Sequence, residues 1–265
     1  MPGRGPRSER DVTRRTLSQN FLRETGARRY LDLVDLDPAG LVIEVGAGEG
    51  VLTGSLAARC RSLVAYELDA RAASVARNRV AGRRNAEVVV GDFLRVPPPE
   101  EPFQVVGNVP FSETSQIVDW CLHAPALSSA IVITQLEYAR KRTGSYGRWS
   151  RLTIQSWPWF DWQLLGRIER VEFRPVPRVD AGVLRLAQRD RPLVDDDSAT
   201  AWADLVDLGF TGVGGSLAAS LSRAYPSRAV GRALDAVGLA VDTVVAFATP
   251  GDWLGIFGAL APTRR

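Results

Sequence analysis

The stretch LVIEVGAGEG, residues 41–50, decides how this chain folds. It begins as a short apolar run, which is typical of a strand buried in a parallel sheet, and it ends in three alternating glycines. Residues 51–59 then have helical spacing, so the glycines lie in a turn between a strand and a helix. Glycines at such a turn allow a positive φ and let a ligand approach the backbone closely. Their G-x-G-x-G spacing differs from the G-x-G-x-x-G of dinucleotide-binding folds.

The alternation of strand and helix continues along the chain. It predicts further strands at 62–69, 86–93, 102–111 and 128–139, with helices at 71–81 and 112–122. The helix at 112–122 begins with Ser112 and Glu113, which we interpret as its N-terminal cap. Two late strands, at 161–168 and 181–189, are joined without a full helix and predict an antiparallel pair at the sheet edge. We therefore predict an α/β fold, with a Rossmann-like, mostly parallel sheet and a small helical C-terminal domain.

Composition places the chain among globular proteins. Its 265 residues are 45% hydrophobic and 24% charged, which excludes extended disorder and a disulfide-stapled scaffold. Two cysteines and one histidine argue against a disulfide framework and against a metal site, so a cytoplasmic location is predicted. The sequence contains no apolar run of about 18 residues, so no membrane span is expected.

Acidic residues stand at the ends of three successive predicted strands. Glu44 precedes the first glycine, Glu67 ends the second strand, and Asp92 ends the third. A carboxylate at the second position can bind ribose hydroxyls, and one at the third can accept from an exocyclic amine. Residues 44–58 contain no lysine or arginine, so a phosphate cradle is not indicated. The pattern predicts an adenosine cofactor that carries a cation, and S-adenosyl-L-methionine fits this description.

A second motif, Asn108-Val109-Pro110-Phe111, ends the fourth predicted strand. The Asn108 side-chain oxygen and a nearby carbonyl, that of Val109, can together accept both hydrogens of a planar amino group. Phe111 can stack on the base that carries this group. A base held in this way must leave its helical stack, because the pocket surrounds its amino edge.

Taken in order, these motifs resemble a known family. The motifs are SQNFL (18–22), EVGAGEG (44–50), YELD (66–69), GDF (91–93), NVPF (108–111) and FRPVPRVDAGVLRL (173–186). In this order they resemble those of the rRNA adenine N6-methyltransferases. That family includes the erythromycin-resistance (Erm) enzymes and the KsgA/Dim1 dimethyltransferases. The form of the NVPF motif and the compact C-terminal part favour the Erm branch. The chain departs from the family where Phe111 stands in place of Tyr, and where GGSL (214–217) lacks the nearby basic residues of many relatives.

The resemblance implies a class I methyltransferase and assigns roles to residues. The catalytic residues would be Asn108 and Phe111, which bind the target adenine. The segment around Asn20 would close over the methionine end of the cofactor, Glu67 would hold its ribose, and Asp92 would hold its adenine. The cofactor-binding residues would be Gln19, Asn20, Leu22, Gly46, Gly48, Glu67, Leu68, Asp92, Phe93 and Asn108.

Local charge indicates a nucleic-acid partner more clearly than the net charge of +3 does. Residues 1–29 contain eight arginines against three acids, and residues 138–151 contain five basic residues and no acid. Basic side chains neutralise phosphates, and aromatic side chains among them can stack on splayed bases. The predicted RNA-binding residues are Arg140, Lys141, Arg142, Tyr146, Arg148 and Trp149. A solvated charged loop is the alternative interpretation of 138–151.

We predict four parts in the chain: a basic flexible arm (1–15), an S-adenosylmethionine-binding catalytic domain (16–188), a linker (189–198) and a helical C-terminal domain (199–265). The implied function is mono- or dimethylation of N6 of a flipped adenine in 23S rRNA by a monomeric enzyme. In the Erm family this modification confers resistance to macrolides, lincosamides and streptogramin B. The alternatives are a 16S rRNA dimethyltransferase of ribosome maturation, a non-catalytic RNA- or DNA-binding relative, and a DNA adenine methyltransferase.

Overall fold

The computed structural model describes residues 20–145 and 147–260. Gln19, Tyr146 and the predicted arm at 1–15 lie outside the described residues. The chain divides into two compact units, Met1–Ala139 with Leu164–Ala187 and Arg140–Gln163 with Gln188–Arg265.

The predicted domain boundaries place residues 140–163 in the catalytic domain, whereas the structure groups them with the C-terminal part of the chain. The reason lies in packing, because Ile154 is buried in the core of the second unit and Trp149 and Trp159 pack against that core.

A seven-stranded sheet forms the framework, and its strands are β2 (Leu41–Val45), β3 (Ser62–Glu67), β4 (Ala86–Val90), β5 (Phe103–Asn108), β6 (Leu127–Gln135), β7 (Phe160–Ile168) and β9 (Ala181–Gln188). They lie side by side in the order β4-β3-β2-β5-β6-β9-β7. Strands β4, β3, β2, β5 and β6 are parallel, and β9 runs antiparallel to β6. This confirms the predicted Rossmann-like, mostly parallel fold with a late antiparallel strand.

The strand order positions the functional site. From β2 the chain moves outward through β3 and β4, and it then returns to place β5 on the other side of β2. The direction of winding therefore reverses between β2 and β5. In open α/β sheets a crevice for ligands forms at this point, beyond the carboxyl ends of the strands.

Helices cover the sheet of the first unit. They are α1 (Glu24–Leu33), α2 (Thr53–Ala57), α3 (Ala70–Arg79), α4 (Thr114–Leu122) and α5 (Leu136–Arg142), the last of which continues into the second unit. Every residue of β2 is buried, as expected for a central strand covered on both faces. The Asp69 side chain caps α3 by accepting from the amides of Arg71 and Ala72, and Ala72, Ala73 and Ala76 form its buried face.

Gly107 lets the two central strands approach closely. Its φ is 149°, and a Cβ built at this position would lie 2.3 Å from the carbonyl oxygen of Val45. No side chain fits there, so a glycine is required one residue before the end of β5. This places Asn108 directly beside the glycine turn, and an added Cβ at Gly46 would lie 3.4 Å from the Asn108 carbonyl oxygen.

A separate two-stranded sheet fixes the segment that precedes α1. Strand β1 (Phe21–Leu22) pairs antiparallel with β8 (Phe173–Arg174), with Phe21 opposite Arg174. The Leu22 and Phe173 side chains are both buried in the core of the first unit. Residues 20–22 are thereby held by a segment that is distant in sequence.

The second unit is helical, as predicted for the C-terminal part. Its helices are α6 (Arg151–Ser156), α7 (Ala199–Gly209), α8 (Leu217–Leu221), α9 (Ser227–Ala236) and α10 (Pro250–Leu260). Trp202 and Trp253 are fully buried at its centre, and the rings of Phe210 and Trp253 stack with their centroids 5.7 Å apart. Within the described part of the chain, no helix has the length and apolarity needed to cross a membrane.

Candidate active site

A pocket lies at the carboxyl ends of β2, β3, β4 and β5, where the winding of the sheet reverses. It encloses about 770 Å³, including the part open to solvent, and is built by the first unit alone. Most of the predicted cofactor and catalytic residues that the structure describes line it: Asn20, Gly46, Gly48, Glu67, Leu68, Asp92, Phe93, Asn108 and Phe111. Leu22 does not line it, because its side chain packs into the core, and Phe21 lines the pocket instead.

The glycine turn shapes one wall of the pocket. The amides of Gly46 and Ala47 both donate to the carbonyl of Tyr66, at 2.9 and 3.0 Å, which ties the turn to the end of β3. Gly46 and Gly48 have φ of 72° and 56°, in the left-handed region. A Cβ at Gly48 would lie 3.0 Å from the Phe21 ring. The turn therefore offers a bare backbone surface to a ligand.

Glu67 is oriented by backbone donors. Its Oε2 accepts from the amide of Gly48 at 2.7 Å, and its Oε1 accepts from the amide of Asp69 at 2.9 Å. The residue is only 4% exposed. An ionised carboxylate has about four acceptor positions, so each oxygen can still accept from a ligand hydroxyl. A ribose diol, which offers two hydroxyl donors, would fit this pair of oxygens.

Asp92 is held in a similar way at the end of β4. Its Oδ1 accepts from the amide of Leu94 at 3.0 Å, and its Oδ2 lies 3.4 Å from Nε of Arg95. Arg95 is largely exposed, so the pair contributes little and Oδ2 keeps capacity for a second donor. The neighbouring Phe93 packs its ring against Trp120, with centroids 4.4 Å apart, and so supports this corner of the pocket.

Asn108 is fixed by the segment that precedes α1. Its Nδ2 donates to the carbonyl oxygen of Asn20 over 2.6 Å. Within the described residues no hydrogen bond engages its Oδ1, which is therefore available as an acceptor in the pocket. Phe111 is partly buried and packs against the core, while part of it still lines the pocket. Residues 108–111 thus form one wall of the pocket, and Asn108 and Phe111 are the first and last residues of this wall.

Sequence reasoning missed Glu113. We interpreted Ser112 and Glu113 as a helix cap, but the Glu113 side chain forms no capping hydrogen bond, and it lines the pocket instead. Its pKa is raised above the usual range, first by burial and then by the charges of Asp92 and Glu67. The available signal was position, because Glu113 is two residues from Phe111 in a segment already assigned to the site.

Glu44, the first of the three acids at the strand ends, does not reach the pocket. It is 1% exposed and does not line the pocket, because β2 is buried on both faces. Burial raises its pKa to about 7; the nearby Thr53 hydroxyl lowers it, and the charge of Glu67 raises it further. Its Oε2 has no hydrogen-bond partner among the described residues. Glu44 therefore lies beneath the glycine turn and not in the ligand site.

All charged side chains among the described lining residues of the pocket are acidic. Three carboxylates line it, those of Glu67, Asp92 and Glu113, and none of the described lining residues is Arg, Lys or His. Acceptors at two strand ends suit ribose and an amine, and the negative field suits a sulfonium and an ammonium group. Among residues 20–145 and 147–260, no group of side chains is placed to hold a metal ion. The residues present fit S-adenosylmethionine, and fold and site together define a methyltransferase that uses this cofactor.

Comparisons with known proteins identify the family within this class. The model of the family described as ribosomal RNA adenine dimethylase matches residues 10–261, and the chain belongs to this family. It is 52% identical over 254 residues to an rRNA adenine N-6-methyltransferase of Streptomyces fradiae, covering 95% of this chain and 80% of that protein. It is 38% identical over 218 residues to the mycinamicin-resistance protein MyrB of Micromonospora griseorubida, covering 82% of this chain and 69% of MyrB.

A solved structure agrees with the sequence comparisons. The crystal structure of the 23S rRNA methyltransferase ErmE matches with a TM-score of 0.87 and 48% identity, covering 91% of this chain and 100% of that one. These findings confirm the predicted family, its Erm branch, the enzyme class and the cofactor. The individual roles of the site residues stay predictions.

The predicted RNA-binding residues gather in the second unit. Arg140, Lys141 and Arg142 end α5, and Arg148 and Trp149 follow in the loop before α6. The Arg142 guanidinium donates to Oγ of Ser150 at 2.9 Å, which contributes to the internal structure of this loop. The structure thus keeps the basic residues together, and their contact with RNA stays a prediction.

Proposed function

We propose that this enzyme transfers methyl groups from S-adenosylmethionine to N6 of an adenine in 23S rRNA, and that the modification confers resistance to macrolide-type antibiotics. The observation that carries the proposal is the placement of Asn108, which lines an acidic pocket and whose Nδ2 is bound to Asn20, so that its Oδ1 is left as an acceptor. The similarity to the 23S rRNA methyltransferase ErmE over its full length supports this choice of substrate. The similarity to MyrB, a mycinamicin-resistance protein, supports the role in resistance.

The pocket residues divide the binding of the cofactor among them. Glu67 would accept from the ribose hydroxyls, and Asp92 would accept from the adenine amine. The bare backbone at Gly46 and Gly48 would let the cofactor lie against the turn. The segment held by β1, with Asn20 at its start, would close the methionine end. Bound S-adenosylmethionine supplies the electrophilic methyl group.

Asn108 and the Val109 carbonyl would hold the target amine. The Asn108 Oδ1 accepts one amine hydrogen, while the bond from its Nδ2 to Asn20 prevents the amide from turning over. An amine held by two acceptors has its lone pair directed toward the methyl donor. No strong base is needed, because the amine loses its proton after attack. Catalysis would therefore rest on positioning and on fixed dipoles.

The target adenine would enter the pocket as an unstacked base. Asn108 is half-buried and Val109 is 2% exposed, so a base within a helix cannot reach them. Phe111 would replace part of the lost stacking with its ring. The enzyme would act on the RNA as a monomer. Ribosomal RNA as substrate supports a location in the cytoplasm.

The test is transfer of labelled methyl groups to protein-free 23S and 16S rRNA, with the modified nucleotide mapped. We expect transfer to one adenine of 23S rRNA and its loss in Asn108→Ala. Asn78→Ala, which alters an exposed asparagine on α3, is the matched control and should retain wild-type activity. Undiminished transfer by Asn108→Ala would contradict the assigned site, and modification confined to 16S rRNA would contradict the proposed substrate.

A further inference from the structure

An exposed aromatic side chain in the second unit has a basic partner. Phe247 is 50% exposed, and the guanidinium carbon of Arg148 lies 5.7 Å from the centre of its ring. Arg148 is itself exposed and forms no ion pair within the described part of the chain. The pair joins two distant stretches of sequence, the loop before α6 and the segment before α10. We call Phe247 and Arg148 the platform.

The platform is held by the backbone. The amide of Trp149 donates to the carbonyl of Ala246 over 2.8 Å. Trp149 directly follows Arg148, and Ala246 directly precedes Phe247, so this bond ties the two platform residues together through the backbone. Gly144 turns the loop with φ of 68°, and the Trp149 ring occupies the space where its Cβ would lie. The Thr153 hydroxyl donates to the carbonyl of Arg142 at 3.0 Å and secures the start of the same loop. These contacts hold the backbone beside Arg148 and Phe247 in place before a partner binds, which lowers the ordering cost of binding.

Two further apolar side chains in the segment before Phe247 are exposed. Val241 and Val244 are 61% and 47% exposed, in the same short segment. Exposed apolar side chains are ordinary when isolated, but a cluster beside unpaired charge marks a contact surface. The neighbouring stretch 138–151 contains five basic residues and no acid, and the segment 241–247 contains a single acid. This combination of aromatic face and positive charge is complementary to unpaired nucleotides.

We propose that Phe247 stacks on an unpaired base of 23S rRNA while Arg148 contacts the phosphates of the same RNA strand. The inference rests on the proposed function for the identity of the RNA. It also changes the role expected of Trp149, whose ring is partly buried and packs edge-on against Trp157 with centroids 5.6 Å apart. Trp149 therefore builds the loop, and Phe247, which the sequence did not single out, provides the stacking face.

The test measures equilibrium binding to protein-free 23S rRNA in the absence of cofactor, together with kcat and KM for methyl transfer. The variants are Phe247→Ala, which removes the ring, and Phe247→Tyr, which keeps it. Leu193→Ala, an exposed apolar residue of the same unit, is the control. Far-ultraviolet circular dichroism of each variant verifies that it is folded.

We expect Phe247→Ala to weaken RNA binding roughly tenfold and to raise KM for RNA by a similar factor, because each stacked base contributes on that scale. Its kcat at saturating RNA and its affinity for S-adenosylmethionine should stay at wild-type values. Phe247→Tyr and Leu193→Ala should bind within about twofold of wild type.

If Phe247→Ala binds RNA as tightly as the wild type does, the proposed role of the platform in RNA binding is wrong. Self-association of the wild type that Phe247→Ala abolishes, with RNA binding unchanged, would instead assign the surface to a second copy of the chain. Because binding is measured without transfer, a wild type that binds 23S rRNA but does not methylate it contradicts the proposed function alone.

Discussion

The side-chain amide of Asn108 donates to the main-chain carbonyl of Asn20 over 2.6 Å. This bond joins the end of β5 to the segment that pairs with β8, and both line the pocket. It fixes the orientation of the amide, because Nδ2 is used as the donor and Oδ1 is left as the acceptor. The end of β5 and the segment that begins at Asn20 are therefore joined by one hydrogen bond at the wall of the pocket.

We expect Asn108→Asp to abolish most of the activity although it is nearly isosteric. A carboxylate has no hydrogen to donate, so it would face the Asn20 carbonyl as a second acceptor and the bond would be lost. The expected decrease in kcat is about hundredfold, the scale of removing one positioned polar group. Steady-state methyl transfer to 23S rRNA measures it, and activity near the wild-type level would show that the Asn20 contact is dispensable.

Gly107 and Gly82 provide a matched test of backbone crowding. Both have positive φ, but a Cβ at Gly107 would lie 2.3 Å from the Val45 carbonyl oxygen, whereas one at Gly82 meets nothing within 4 Å. We expect Gly82→Ala to lower the free energy of unfolding by about 1 kcal/mol, the cost of left-handed backbone. Gly107→Ala should cost about 3 kcal/mol or more, because the central strands must separate. Urea denaturation measures both, and equal losses would contradict the close approach of β5 to β2.

The sequence was sufficient to predict the sheet and most of the pocket, because both follow from local patterns. Each strand end that carries a glycine or an acid lies at the same edge once the strands are parallel, so Gly46, Glu67, Asp92 and Asn108 converge. Local patterns do not show whether a side chain at a strand end reaches the pocket or is buried in the core. Glu44 and Glu67 both stand at strand ends, yet only Glu67 reaches the pocket, because β2 is covered on both faces.

Tertiary packing decided the features that sequence reasoning missed. Glu113 has the identity and position of a helix cap, but it lines the pocket, and only its closeness in sequence to Phe111 pointed to the site. The assignment of residues 140–163 to the second unit depends on Ile154, whose burial among residues beyond 194 is a long-range contact. Phe247 resembles any apolar residue near a helix until its exposure and its Arg148 partner are seen.

Glu44 should make stability depend on pH in the neutral range. Its pKa is raised from 4.5 to about 7 in the folded chain, because burial disfavours the charge. A group whose folded pKa is raised binds its proton more tightly when folded, so the free energy of unfolding falls as pH rises from about 4.5 to about 7. The expected loss from this group is on the order of 1–3 kcal/mol. Urea denaturation at pH 5 and pH 8 should show a smaller difference for Glu44→Gln than for the wild type, and identical differences would count against a buried ionisable Glu44.

Glu113 should tune the affinity for the cofactor through its charge. Its raised pKa means that it ionises above the usual range for a glutamate, so the pocket becomes more negative as pH rises through that pKa. S-adenosylmethionine carries a sulfonium charge and should bind more tightly as Glu113 ionises. S-adenosylhomocysteine, which has lost that charge, should respond less. Calorimetric titration of both ligands between pH 5 and pH 8 measures the effect.

In Glu113→Gln the pH-dependent gain should vanish, and at pH 8 the preference for S-adenosylmethionine over S-adenosylhomocysteine should fall by up to roughly tenfold, the scale of one charge acting over several ångströms near a protein surface. The same substitution should slightly raise stability at pH 8, because the ionised form is the one that burial and the charges of Asp92 and Glu67 disfavour. Glu137→Gln, which alters an exposed glutamate on α5, is the matched control for both measurements. A preference that Glu113→Gln leaves unchanged would mean that its carboxylate does not act on the sulfonium, and that Glu67 and Asp92 alone set the field of the pocket.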